Sequence, residues 1–303
     1  MDSITSQQDK QSEEALILLR RAKAYIIHIK RGYDESETVE QIFADERLVR
    51  LRKSLFLECE RLSQFPNFRR EALDLFWSYC CYKPITYFKN SLNKEEEEAE
   101  EFPSLSTSKM LKTFISENIS RISSLLSKLP DSKFSLLIWL GDLYRYSFIY
   151  CGKNKKDFTM SEQCYVNAAL CHLNSGRPYN QLALLNLKID PNHAFFLFLR
   201  SLTQHQQMDK NMDNVQANIN LLDNNEGKDV TKFVLNSDWK LMLKFVNIVA
   251  FEFSRLKFDE ARKEMDKLFD SLKSNFQAFL KHVNACTLAV AFAFRNQPTD
   301  EHF

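Results

Sequence analysis

Five glycines and seven prolines in 303 residues leave this chain few places to turn tightly. Folds built on strands and hairpins draw on both residues at most of their turns, so this scarcity predicts long helices with few connections. The spacing of the apolar residues agrees. From Glu13, Leu16, Leu19, Ala22, Ile26 and Ile29 recur at three- and four-residue steps, giving one face of a helix that ends near Gly32. The same spacing predicts helices over Ala44–Leu62, Pro66–Leu92, Thr107–Leu129 and Lys133–Cys151. The last is apolar almost all round at its start, the mark of a central buried helix. Pro84 falls inside the third and should kink or divide it, because proline removes a backbone donor and crowds the preceding turn.

Beyond the basic loop Gly152–Lys156 the pattern shortens to helical hairpins over Ser161–Leu173, Pro178–Leu187 and Pro191–Gln204, like a single tetratricopeptide-type repeat. A further helix is expected over Met212–Leu222. Residues 1–12 read as disordered, 13–225 as one domain, and 93–103, with Glu95–Glu98, Glu100 and Glu101, as an acidic solvated loop. Asp223–Lys228 is the best internal boundary. Residues 229–303 read as the start of a truncated helical-hairpin extension, with long helices over Asp238–Leu256 and Phe258–Val283.

Composition excludes several functions. With 41 basic against 40 acidic residues the formal charge is +1, so no global field holds nucleic acid, and direct RNA binding is not expected. The cysteine number is odd, seven, and the spacings are not of the zinc kind, so free thiols in a reducing compartment are expected. No apolar run is long enough to span a membrane, and cytoplasmic residence with nuclear passage is expected. There is no glycine-rich phosphate loop, no His-Glu-x-x-His and no nucleophile elbow. Cys164, Cys171 and His172 would need further ligands from elsewhere to hold zinc, and read instead as buried thiols beside a histidine. Neither an enzyme, a cofactor nor a metal is expected.

Two segments remain. One is Gly141-Asp142-Leu143-Tyr144-Arg145-Tyr146, and the other is Asn174-Ser175-Gly176-Arg177-Pro178-Tyr179-Asn180-Gln181-Leu182-Ala183. The first resembles the Gly-Asp-x-x-Arg-Tyr stretch of 14-3-3 proteins. The second resembles the Asn-x-Gly-x-Pro-Tyr-Asn-Gln-Leu-Ala signature of the Smg adaptors of nonsense-mediated mRNA decay and of a related telomerase factor, "ever shorter telomeres". Arg70-Glu71-Ala72-Leu73-Asp74-Leu75-Phe76-Trp77 is similar to that family's acidic–Leu–Trp helix. Its continuation, Tyr79 to Tyr82, is most similar to the fifth-numbered member.

The resemblance implies an all-α, 14-3-3-like bundle of antiparallel helices with tetratricopeptide-like hairpins. It implies a non-catalytic adaptor that recognises the phosphorylated RNA helicase of that pathway. Such an adaptor pairs with another Smg protein through its 14-3-3-like domain and recruits phosphatase or mRNA-decay factors. A helical scaffold with a degenerate phosphate pocket, acting through heterodimerisation, is the alternative, and an RNA-binding telomerase relative is another. Carried over residue by residue, Arg145 and Tyr146 belong to the phosphate pocket, and Lys83, from Tyr82-Lys83, supplies the second cation. Here the chain departs from the pattern. Pro84 follows directly, and the separation from Trp77 is one residue longer, which turns a helical side chain by about 100°. Lys89 and Arg69 are substitute cations on neighbouring turns, and Arg177 an accessory one. Asn180 either clamps the peptide backbone or bridges the turn after Pro178. Arg145 and Asp142, three residues apart, share a helix face and also fit a structural ion pair.

Overall fold

The computed structural model describes residues 2–98 and 105–202, with Gln204, Lys263 and Asp266. Among these residues every regular element is helical. In order they are α1 (Asp2–Asp34), α2 (Val39–Ala44), α3 (Glu46–Leu62), α4 (Pro66–Phe76) and a π-helical turn (Trp77–Tyr82). Then come α5 (Lys83–Glu98), α6 (Leu105–Lys128), a 3-10 turn (Pro130–Ser132), α7 (Lys133–Tyr150), α8 (Lys155–Cys171), α9 (Arg177–Asn186) and α10 (Pro191–Leu202). The chain divides into two compact units, 1–161 and 162–303, with the division inside α8. The expected boundary at Asp223–Lys228 and the helix over Met212–Leu222 lie outside the described residues, as does nearly all of the expected extension.

In the first unit α1 packs on α3, α3 on α4, α6 on α7, and the short α2 against α3, α5 and α6. The expected stripe on α1 is buried at Leu19, Ala22, Ile26 and Ile29, but Leu16 is exposed and Ala15 and Leu18 are buried in its place. The helix begins at Asp2, not near Glu13: the polar start contains three glutamines and a lysine, which tolerate a helix well, and neither glycine nor proline. Similarly, α5 carries through Glu95–Glu98, where a loop is expected from position 93. The element that periodicity misses is α2, because six residues are too few to show a period. Its start is nonetheless written as a capping box. The Gln41 backbone N–H donates to Thr38 Oγ1 (3.3 Å), and Gln41 Oε1 accepts from the Thr38 N–H (3.3 Å).

Pro84 does not break the third helix. The turn before it widens instead, with the Lys83 N–H reaching the Ser78 carbonyl five residues back. A π turn holds one residue more than an α turn and relaxes the crowding that a proline ring imposes on the carbonyl four residues earlier. The widened turn is fastened to α7 by stacking: the Trp77 and Trp139 rings lie 5.3 Å apart and 3° from parallel, and Tyr82 stacks on Trp77 at 6.3 Å. Every residue from Leu136 to Leu143 is buried, so α7 is the central helix that its composition predicts.

In the second unit α9 packs on α10. The approach is close at Gly176, where a Cβ would run into the backbone carbonyl of Ser201. The Ser201 hydroxyl donates to the Gly176 carbonyl at 2.7 Å, and the Arg200 guanidinium lies 4.4 Å from the Tyr179 ring centroid. The Asn-x-Gly-x-Pro signature therefore has a packing reason for its glycine.

Candidate functional site

The site grows out of the end of α7. Leu143 and Tyr146 are buried, so the helix turn between them holds Arg145 against the protein. Its side chain is 11% exposed, and Asp142, one turn earlier, is 7% exposed. Arg145 Nη2 donates to Asp142 Oδ1 at 3.1 Å. The guanidinium carbon also lies 4.6 Å from the centroid of the Tyr146 ring. Burial pushes the Tyr146 hydroxyl up to about 12, against the opposing pull of Arg145, which hydrogen-bonds it. The phenol is therefore a protonated donor throughout the neutral range.

From α5 it is Lys89, expected only as a substitute cation, that comes to the same ring. Its ammonium stands 6.0 Å from the centroid of the same Tyr146 ring. Half-buried, Lys89 is held below the ordinary lysine value, first by burial and then by the charge of Arg145. Two positive side chains thus meet at one tyrosine, close enough for each to feel the other, with Asp142 beside them. A fixed planar fork, a mobile ammonium and a phenolic donor are the groups that suit a phosphate dianion.

The other expected site residues are placed differently. Lys83 lies over the Tyr79 ring, 4.3 Å from its centroid, with Lys30 of α1 at 5.5 Å from the same ring. Arg69 is a structural clasp: Nη1 pairs with Asp131 Oδ2 at 2.9 Å and Nε donates to the Ser63 carbonyl at 3.0 Å. Arg177 and Asn180 belong to the second unit. Arg177 is half-buried at the start of α9, its N–H donating to Ser175 Oγ at 3.4 Å. Asn180 is 1% exposed, and its backbone N–H makes the first turn of α9 by donating to the Gly176 carbonyl at 3.1 Å. Of the two thiols considered for zinc, Cys164 is buried and raised to about 11, while Cys171 is exposed. Sequence reasoning ranks Lys89 only as a substitute, because the widened turn before Pro84 changes which side chains of α5 face α7.

Comparison with solved structures finds a chain in the structure of the C. elegans SMG5–SMG7 complex, with a TM-score of 0.62 at 16% identity, covering 94% of this chain. The fold is shared. The architecture implied by the two motifs, an all-α 14-3-3-like bundle, is thus the architecture of a solved Smg complex. This chain spans 64% of the length of that one. No family model matches the chain. No curated protein matches it either.

Proposed function

We propose that this chain is a non-catalytic adaptor of the Smg type, acting in nonsense-mediated mRNA decay, whose α5–α7 site receives the phosphate of a phosphoserine peptide. The observation that carries the reading is the meeting of Lys89 and Arg145 at Tyr146. Holding two like charges in a half-dehydrated place costs free energy, and the depressed lysine is its signature. A phosphoserine brings nearly two negative charges and three acceptor oxygens, and so offsets that cost. Each charge-assisted hydrogen bond contributes about 1.5–3 kcal/mol, so two or three, with backbone contacts to the peptide, reach a micromolar site. Asp142 is then the positioning partner that holds the guanidinium in place.

The motifs and the shared fold support the same wider reading. Its ligand is the phosphorylated RNA helicase of the pathway, and its partner is another Smg protein bound through the 14-3-3-like domain. Phosphatase or decay factors are recruited by the assembly, in the cytoplasm with passage through the nucleus. A second reading has its own observation. Arg145 is nearly buried and already paired with Asp142, which suits a scaffold that retains the ion pair and works by heterodimerisation alone.

Fluorescence anisotropy with a labelled phosphoserine peptide and its unphosphorylated twin separates the two. The adaptor reading expects saturable binding of the phosphorylated form alone, lost at least a hundredfold in Arg145→Glu. Equal binding of both peptides, or wild-type affinity in that variant, leaves the scaffold.

A further inference from the structure

A cavity lies in the first unit, between α6 and the α2–α3 corner, and it shares no residue with the proposed phosphate site. Its volume is about 390 Å³, and its walls include Phe43, Val49, Met110 and Phe114. That places it at the small end of ligand pockets, fit for an anchoring side chain and too small for a large cofactor. Val49 is 39% exposed and Thr113 is exposed, so the cavity opens to solvent.

The walls are apolar but the charge is not neutral. Arg52 lines the cavity at 3% exposure. Its Nη1 donates to the Ile42 carbonyl at 2.7 Å, its guanidinium sits 5.5 Å from the Phe114 ring centroid, and it hydrogen-bonds the Tyr33 hydroxyl. Among the described residues no carboxylate forms an ion pair with it. Arg121 adds a second guanidinium, bound to Asn118 Oδ1 at 3.1 Å and to Glu117, an exposed carboxylate that also lines the cavity, at 3.7 Å, and Lys109 stands on the rim. A buried guanidinium satisfied by neutral acceptors keeps its full charge, and in a low-dielectric site that charge attracts a carboxylate strongly.

From this charge and shape we infer that the cavity is a docking site for an acidic peptide segment. A large apolar residue of the segment enters between Phe43 and Phe114, and a neighbouring carboxylate meets Arg52 and Arg121. An apolar anchor fills the space that water occupies poorly, while the carboxylate offsets the positive excess of walls that set Arg52, Arg121 and Lys109 against Glu117 alone. The site is separate from the phosphate site, so an adaptor of this build holds a phosphopeptide and an acidic–apolar segment at once.

The probe is a fluorescein-labelled Glu-Glu-Phe-Glu-Leu-Glu peptide, titrated into the full 303-residue chain by anisotropy, with a twin carrying lysine for every glutamate. The expected result is saturable binding of the acidic peptide and none of the basic one. Thr113→Trp, which fills the mouth from an exposed position, should weaken binding at least tenfold. Arg121→Gln should weaken it at least fivefold. Both variants should keep the wild-type melting curve and the wild-type affinity for a phosphoserine peptide. Wild-type affinity for the acidic peptide in Thr113→Trp, or equal binding of the basic twin, overturns the proposal. So does saturation by decanoate where the peptide does not bind, which reassigns the cavity to small carboxylates.

Discussion

At Lys89 the proposed phosphate site sets stability against ligand binding. Its proton affinity is lower in the folded chain than in the unfolded one, so its charge opposes folding at every pH below that lowered value. The opposition fades as pH rises through the lysine range, where the folded chain no longer carries the charge. Lys89→Met keeps the packing of the stem and removes the charge. It should raise the melting temperature at neutral pH, by a margin that narrows in alkaline solution, and should weaken phosphoserine-peptide binding about tenfold, the equivalent of one charge-assisted bond. Thermal melts across pH and an anisotropy titration check both halves. A fall in melting temperature would show that the ammonium has a structural partner. Tyr146→Phe separates the ring from its hydroxyl: with the donor gone and the cation-facing ring retained, binding should fall about fivefold with no loss of fold.

Between elements, the close approach at Gly176 and the Trp77–Trp139 stack at the π turn each have a test. Gly176→Ala drives a methyl group into the Ser201 backbone, which cannot swing aside as a side chain can. It should destabilise the α9–α10 hairpin by about 1–3 kcal/mol, the usual cost of overpacking, read by urea denaturation. Trp139→Ala removes one plate of the stack that fastens the π turn to α7, and should cost about 3–5 kcal/mol. These elements also show what the sequence makes legible. Apolar spacing is enough to place α3, α6 and α7 within two or three residues, because each buries one continuous face or, for α7, nearly all of its faces. Spacing does not reveal a π turn, since widening a turn changes a hydrogen-bond pattern and leaves composition alone. The extra residue that the resemblance implies between Trp77 and Lys83 is the trace of it in the sequence, where it reads as a lost register. Lys83 lies at the Tyr79 ring and Lys89 at the Tyr146 ring, so the proposed site takes Lys89 in place of Lys83.

For the molecule as a whole the near-equal charge of 41 basic and 40 acidic residues matters most. With no surrounding field, a site must attract its ligand through a few placed groups. Phosphopeptide affinity should therefore fall less than about tenfold between about 50 and 200 mM salt, far short of the loss shown by proteins that neutralise many phosphates. A steep salt slope would point to nucleic acid. The fold class was legible from breakers and periodicity, and the choice among all-α folds came from two short motifs. The cavity at Arg52 had no sequence signal, because a buried arginine on α3 reads as one more polar residue until its surroundings are known.

The central claim is that Arg145, Lys89 and Tyr146 stabilise a phosphate dianion. The phosphorus resonance of a bound phosphoserine peptide, followed by NMR against pH, reads this directly. Free phosphoserine takes its second proton at a pH of about 6. The account predicts that the bound group titrates well below that value and returns toward it in Lys89→Met. A bound phosphate that titrates as the free one does would contradict it.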